Sequence, residues 1–168
     1  MRRKLVAASW LALAEQVVAK YRAALGDDLV AVALFGSVAR GEAGPQSDLD
    51  LYVVTRAHVS AFLDTRLDSA RQGIRESPEY HAMRREGYQP EPAPIFHTVD
   101  ILQKHPWILL DISDHGRILY DPDGVLGREL EAVRRRLAEL GAKRIEQPDG
   151  SWYWDLKPDW RPGDVIEL

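Results

Sequence analysis

The sequence predicts an α/β (α+β) fold class, helices packed on a small sheet, from three observations. Two uninterrupted apolar runs, residues 29–35 and 49–55, have the length and β-former content of buried strands. Two longer stretches, residues 6–25 and 125–140, repeat apolar residues at three- and four-residue steps and stop at Gly26 and Gly141. Between them lie two short runs, residues 95–98 and 118–120, fit for further strands. The chain has 168 residues, 45 % hydrophobic and 29 % charged. That is enough for one domain over 1–168 with its own core.

The N-terminus is ambiguous at first sight. Met1-Arg2-Arg3-Lys4, an apolar stretch and Ala12-Leu13-Ala14 imitate a secretory signal. The stripe Trp10, Leu13, Ala14, Val17, Val18, Tyr21, Ala24 and Leu25 runs straight past that point, so an amphipathic helix is expected. Gly36-Ser37 breaks the first strand, a helical turn follows over 38–40, and Gly44-Pro45 marks a loop before the second strand. Val59, Phe62, Leu63, Leu67 and Ile74 predict a surface helix over 59–76. Residues 77–94 hold Pro78, Pro90, Pro92 and Pro94 and read as a loop with one short helix; a central strand is not expected before Ala93. Thr98 is a candidate N-cap for a turn over 99–103. Pro106 opens a helix to Asp114 with Trp107, Leu110 and Asp111 facing inward. After the helix over 125–140, residues 142–145 and 151–156 flank Pro148-Asp149-Gly150 as a hairpin.

The net charge of −4 argues against non-specific binding to a nucleic-acid backbone, though not against a nucleotide in a local site. Without cysteine there are no disulfides or thiolate metal ligands, which suits a cytoplasmic protein. No apolar run is long enough to span a membrane.

The chemistry concentrates in residues 34–54. Side chains two apart on a strand share a face, so Asp48 and Asp50 project together. Paired carboxylates repel unless a cation joins them or one keeps its proton. Mg²⁺, an oxygen-seeking ion, is the natural partner. Alone, such a pair reads more simply as exposed acids at a strand start. Gly36 allows close backbone approach to a phosphate, Ser37 offers a hydroxyl and the following amides point outward, with Arg40 nearby. Alone, this too reads as an ordinary capped turn. A phosphate-type turn and an acid pair on successive strands make the stronger combination.

Gly36-Ser37, ten residues, then Asp48-Leu49-Asp50 resembles the signature of the DNA polymerase beta-like nucleotidyltransferase superfamily. The fuller run Gly36-Ser37-Val38-Ala39-Arg40-Gly41 with Ser47-Asp48-Leu49-Asp50-Leu51 resembles its minimal nucleotidyltransferase (MNT) branch. Asp111-Ile112-Ser113, Ile118-Leu119-Tyr120-Asp121 and residues 152–159 resemble stand-alone members. The resemblance implies a small mixed sheet with flanking helices: a core over 6–120, with 121–168 as a C-terminal helix and aromatic hairpin tail. It implies an NTP, ATP first, held by Gly36, Ser37 and Arg40, and two Mg²⁺ (or Mn²⁺) held by Asp48 and Asp50. A nucleoside monophosphate would pass to a hydroxyl acceptor on protein or RNA. The branch also implies a HEPN-domain partner, with the chain as antitoxin. A third carboxylate usually completes such a site. Asp100 matches it by local sequence, yet reads as well as a first-turn helix residue, and His97 is the other candidate.

The remaining features have simpler readings. The other histidines show no ligand spacing, and Arg134-Arg135-Arg136 lies on a solvated helix face among acids. Trp152 and Trp154 suit packing better than base stacking. The rival to the enzyme is an interaction module that binds a nucleotide or partner without turnover, favoured if the acid set is incomplete.

Overall fold

The computed structural model describes residues 2–61, 63–149 and 151–168, so the expectations that fall on Met1, Phe62 and Gly150 lie outside it. Helix α1 (Arg2–Leu25) carries the predicted stripe and stops at Gly26, whose φ of 53° no other residue adopts as readily. A 3₁₀ turn leads into β1 (Leu29–Leu34), every residue of which is buried. That explains a continuous rather than alternating apolar run: β1 has a packed layer on both faces.

Strand β1 lies between β2 (Leu49–Thr55) and β4 (Arg117–Tyr120), antiparallel to both, and β2 pairs in parallel with β3 (Pro92–Thr98). The sheet order is β3-β2-β1-β4. The parallel pair needs a crossover, supplied by α3 (Arg66–Arg75) and α4 (Pro78–Arg85). Val32, Leu34, Leu49, Leu51 and Val53 face α1, α3 and α4 in one core. Ala31, Ala33, Phe35, Tyr52 and Val54 face α5 (Val99–Leu102), α6 (Ile108–His115) and α7 (Val125–Leu140) in the other. Leu126, Leu130, Val133 and Leu137 of α7 are buried there. Asp50 points to this second side, on the face of Tyr52.

Several local expectations are corrected. Helix α3 begins at Arg66, not near residue 59, because the Asp64 carboxylate takes the Arg66 amide at 3.0 Å and starts the helix there; Leu63 is exposed. Strand β3 begins at Pro92, three residues early. It is an edge strand, so proline's missing N–H falls where no neighbour needs it. Ser77 caps α4 by accepting from the Tyr80 amide, with Pro78 in the first turn. Thr98 precedes α5 but its side chain makes no cap bond. Trp107 is exposed, since it stands before the first turn of α6 rather than on its buried face.

Strands β5 (Lys143–Glu146) and β6 (Trp152–Asp155) form a separate antiparallel hairpin. Trp154 packs against the second core, Trp152 lies under the Arg144 guanidinium, and Tyr153 is half exposed. Among the described residues, no helix is long and apolar enough to cross a membrane.

Candidate active site

Strand β1 ends because Gly36 turns left-handed, with φ of 68°, and starts the four-residue helix α2 (Gly36–Ala39). The Phe35 amide donates to the Asp50 carbonyl at 3.1 Å, which fixes β2 against the turn. A side chain on Gly36 would collide with Asp50: its Cβ would stand 2.9 Å from Cγ and closer still to Oδ2. The glycine thus makes room for a carboxylate, not only for the phosphate expected of it.

The loop back to β2 is closed by two serines. Ser37 Oγ lies 3.1 Å from Ser47 Oγ, which also accepts the Gly44 amide at 3.0 Å. The Glu42 amide donates to the Ser37 carbonyl at 2.9 Å. These bonds hold Ser37 at the mouth of the turn and deliver the chain to Asp48.

Asp48 is exposed and Asp50 half buried. Burial pushes the Asp50 carboxyl above its ordinary range; the Asp48 charge adds to this, Arg40 opposes it and Asp111 adds again. The site is therefore acidic and under-neutralised. Arg40 donates to Glu42 at 2.8 Å, and its Nη1 stands 3.9 Å from Asp111 Oδ1. That Oδ1 is buried and has no hydrogen-bond partner among the described residues. The Arg40 bond holds the Glu42 carboxyl below its ordinary range, despite some desolvation.

Asp100 and His97 do not join this group. The residue of β3 level with Asp50 is Ala93. Strand β3 runs on to Thr98, about 16 Å further at the usual rise, and Asp100 follows, exposed, in the first turn of α5. His97 is level with Val54, and its Nδ1 lies 3.2 Å from the Tyr52 hydroxyl. Asp111 was expected only to face inward. The available signal was an acid set between Leu110 and Ile112 on a helix that buries both.

Two features fit a metal–phosphate ligand: the glycine cradle beside Asp50 and the orphaned Asp111 oxygen. Carboxylate oxygens suit a hard divalent cation such as Mg²⁺. Among the described residues, no three His, Cys, Asp or Glu side chains already converge as a ligand set. A cleft of about 520 Å³ runs along β3 and reaches Asp50; Tyr21, Leu67, Arg71, Ile74, Arg75 and Ile95 line it. That volume is within the usual range for a small-molecule site.

No curated protein matches the chain. Similar chains occur in solved toxin–antitoxin structures. One is a toxin–antitoxin with AMP-PNP (14 % identity, TM-score 0.41, covering 76 % of this chain and 92 % of that one). Another is a tri-AMPylated Shewanella oneidensis HEPN toxin in complex with MNT antitoxin (12 %, 0.39, 79 % and 92 %). A third is the toxin–antitoxin MntA-HepT (13 %, 0.36, 76 % and 90 %). The pattern of the nucleotidyltransferase domain matches residues 16–112, which run from the middle of α1 through the Gly36 turn and the acid pair into α6. On that match, over more than half of its length, the chain belongs to the nucleotidyltransferase domain family.

Proposed function

We propose that the chain transfers a nucleoside monophosphate from an NTP, ATP by preference, to a hydroxyl on a protein or RNA acceptor, with a divalent cation such as Mg²⁺. The observation that carries this is the meeting of Gly36 with the Asp50 carboxylate, which sets the phosphate-type turn against one acid of the pair. A bound Mg²⁺ would neutralise phosphate charge and make the acceptor hydroxyl a better nucleophile. Asp48 and Asp50 would hold it. The α2 amides and the Ser37 hydroxyl would orient the phosphates, and Arg40 would meet phosphate charge. The cleft along β3 offers room for the rest of the substrate.

A HEPN-domain protein is proposed as partner and acceptor, with this chain as its antitoxin; the support is the run Gly36 to Gly41 followed by Ser47 to Leu51. The test is transfer of label from NTP into a macromolecule co-purified from the native host. Label in the α-phosphate should transfer and label in the γ-phosphate should not, and Asp48→Ala should abolish transfer. Partner binding that survives Asp48→Ala with no transfer from any NTP would favour the interaction module instead. The unconverged acids are the observation on that side.

A further inference from the structure

We propose that the cavity between α1 and the α2 turn is a second ligand site. It takes a small molecule with a single-ring apolar body and a carboxylate, which accepts from the indole N–H of Trp10 and pairs with the guanidinium of Arg117. This goes beyond the transfer reaction proposed above and does not depend on it.

The cavity is separate from the nucleotide-type site. It holds about 310 Å³ and shares no described lining residue with the cleft along β3. That volume stands at the lower end of the range for small-molecule sites, so the occupant is compact. Helix α2 is the partition. On one side the bare position of Gly36 meets Asp50; on the other, Val38 and Ala39 line the cavity and pack on the α1 core. Leu11, Leu34 and Ala43 extend the apolar wall.

Trp10 is the first sign of a ligand. It lines the cavity and is 1 % exposed, yet its Nε1 has no hydrogen-bond partner among the described residues. A buried indole N–H ordinarily finds an acceptor, and leaving it without one is costly. The other described side chains with such an orphaned atom, on Glu79, Asp111 and Trp154, belong to partly exposed residues. Tyr88 stands edge-on to Trp10, with 6.1 Å between ring centroids, a contact the indole would lose by swinging out to water.

Charge decides the polar end of the ligand. Arg117 opens β4 level with Leu34, so its side chain leaves the sheet on the Leu34 face, toward α1. It is exposed and has no hydrogen-bond or ion-pair partner among the described residues. Glu42, the acid among the described lining residues, is already held by Arg40 at 2.8 Å. A cation would find no free carboxylate here. An anion finds a free guanidinium and a free N–H beside apolar walls, and one carboxylate can accept from both.

The test is titration of the full ¹⁵N-labelled chain with 3-phenylpropionate, and separately with the neutral 3-phenylpropionamide, read at the tryptophan indole N–H signals. The signal lost in Trp10→Phe identifies Trp10. With the acid, the Trp10 signal should shift downfield and saturate while the other four tryptophans stay in place. The amide should bind at least fivefold more weakly. Arg117→Gln should weaken the acid at least fivefold and leave the amide within twofold. No saturable shift at Trp10 would overturn the inference, and so would shifts shared by all five indoles. Equal affinity for acid and amide in the wild type would overturn the carboxylate class. Asp48→Ala should bind the acid as the wild type does; loss of binding there would place the probe in the nucleotide-type site and overturn the second site. Should Trp10→Phe fold poorly, the acid and amide affinities of wild type and Arg117→Gln, measured by calorimetry, decide the matter, since Arg117 is exposed.

Discussion

Gly36 and Asp50 share one small volume: the glycine lacks a side chain where the carboxylate of Asp50 lies, and a Cβ there would stand 2.9 Å from Asp50 Cγ. Gly36 is also left-handed, at φ 68°. The turn and the strand can therefore meet only if the turn residue is glycine.

Gly36→Ala should lose about 2–4 kcal/mol of stability, from backbone strain and the displaced carboxylate together. In an Asp50→Gly background the same change should cost less, by about 1 kcal/mol or more, because only the strain remains. Urea unfolding of the two single variants and the double variant measures that difference. Additive costs would mean that the two residues do not share the space.

The two loop serines are unequal. Ser47 Oγ accepts from both Ser37 and the Gly44 amide, whereas Ser37 Oγ makes one of those bonds. Ser47→Ala should cost about 1–3 kcal/mol and Ser37→Ala about 0.5–1.5. Ser37→Ala should have the larger effect on KM for NTP, since its hydroxyl is the one at the turn. Chemical denaturation paired with steady-state kinetics checks both orders.

His97 gives the fold a pH dependence of predictable sign. Burial holds its imidazole below the ordinary value of 6.5. As pH falls through that value the unfolded chain takes up the proton first, so the native state weakens from there down to the lower native value. Above 6.5 the contribution is constant. The melting temperature of the wild type should fall between pH 7 and 5 more steeply than that of His97→Gln. Parallel curves would show that His97 titrates alike in both states.

Helix α7 is part of the core beneath β1 and β2, not an appendage. Leu130 is fully buried among Ala33, Val54 and Leu109. Leu130→Ala should cost about 2–5 kcal/mol, as cavity-forming changes in well-packed cores do. A urea midpoint near that of wild type would place α7 outside the cooperative unit.

How much of this was legible depended on whether the signal was local. Strand β2 and helix α7 keep the bounds read from the sequence, because each apolar pattern is bracketed by turn residues or a glycine stop. Strand β3 was read short because its prolines argue against a strand, and only the sheet order reveals that it is an edge. Asp100 looked like a site residue because local sequence carries no register; once Ala93 is level with Asp50, Asp100 lies too far along. Asp111 meets Arg40 through the packing of α6 beside α2, a relationship between distant residues that no short pattern encodes. Gly36 was read for its tolerance of a phosphate. Its tolerance of Asp50 is visible only when β1 and β2 are paired.

The measurement closest to the central claim is calorimetric binding of a non-hydrolysable ATP analogue, with and without Mg²⁺, to wild type, Gly36→Ala and Asp50→Asn. If the turn and the acids form one metal–nucleotide site, Mg²⁺ should tighten binding to the wild type at least tenfold. Asp50→Asn should lose that enhancement, and Gly36→Ala should lose binding whether or not Mg²⁺ is present. Equal affinity with and without Mg²⁺ in the wild type, or an enhancement that survives Asp50→Asn, would contradict the account.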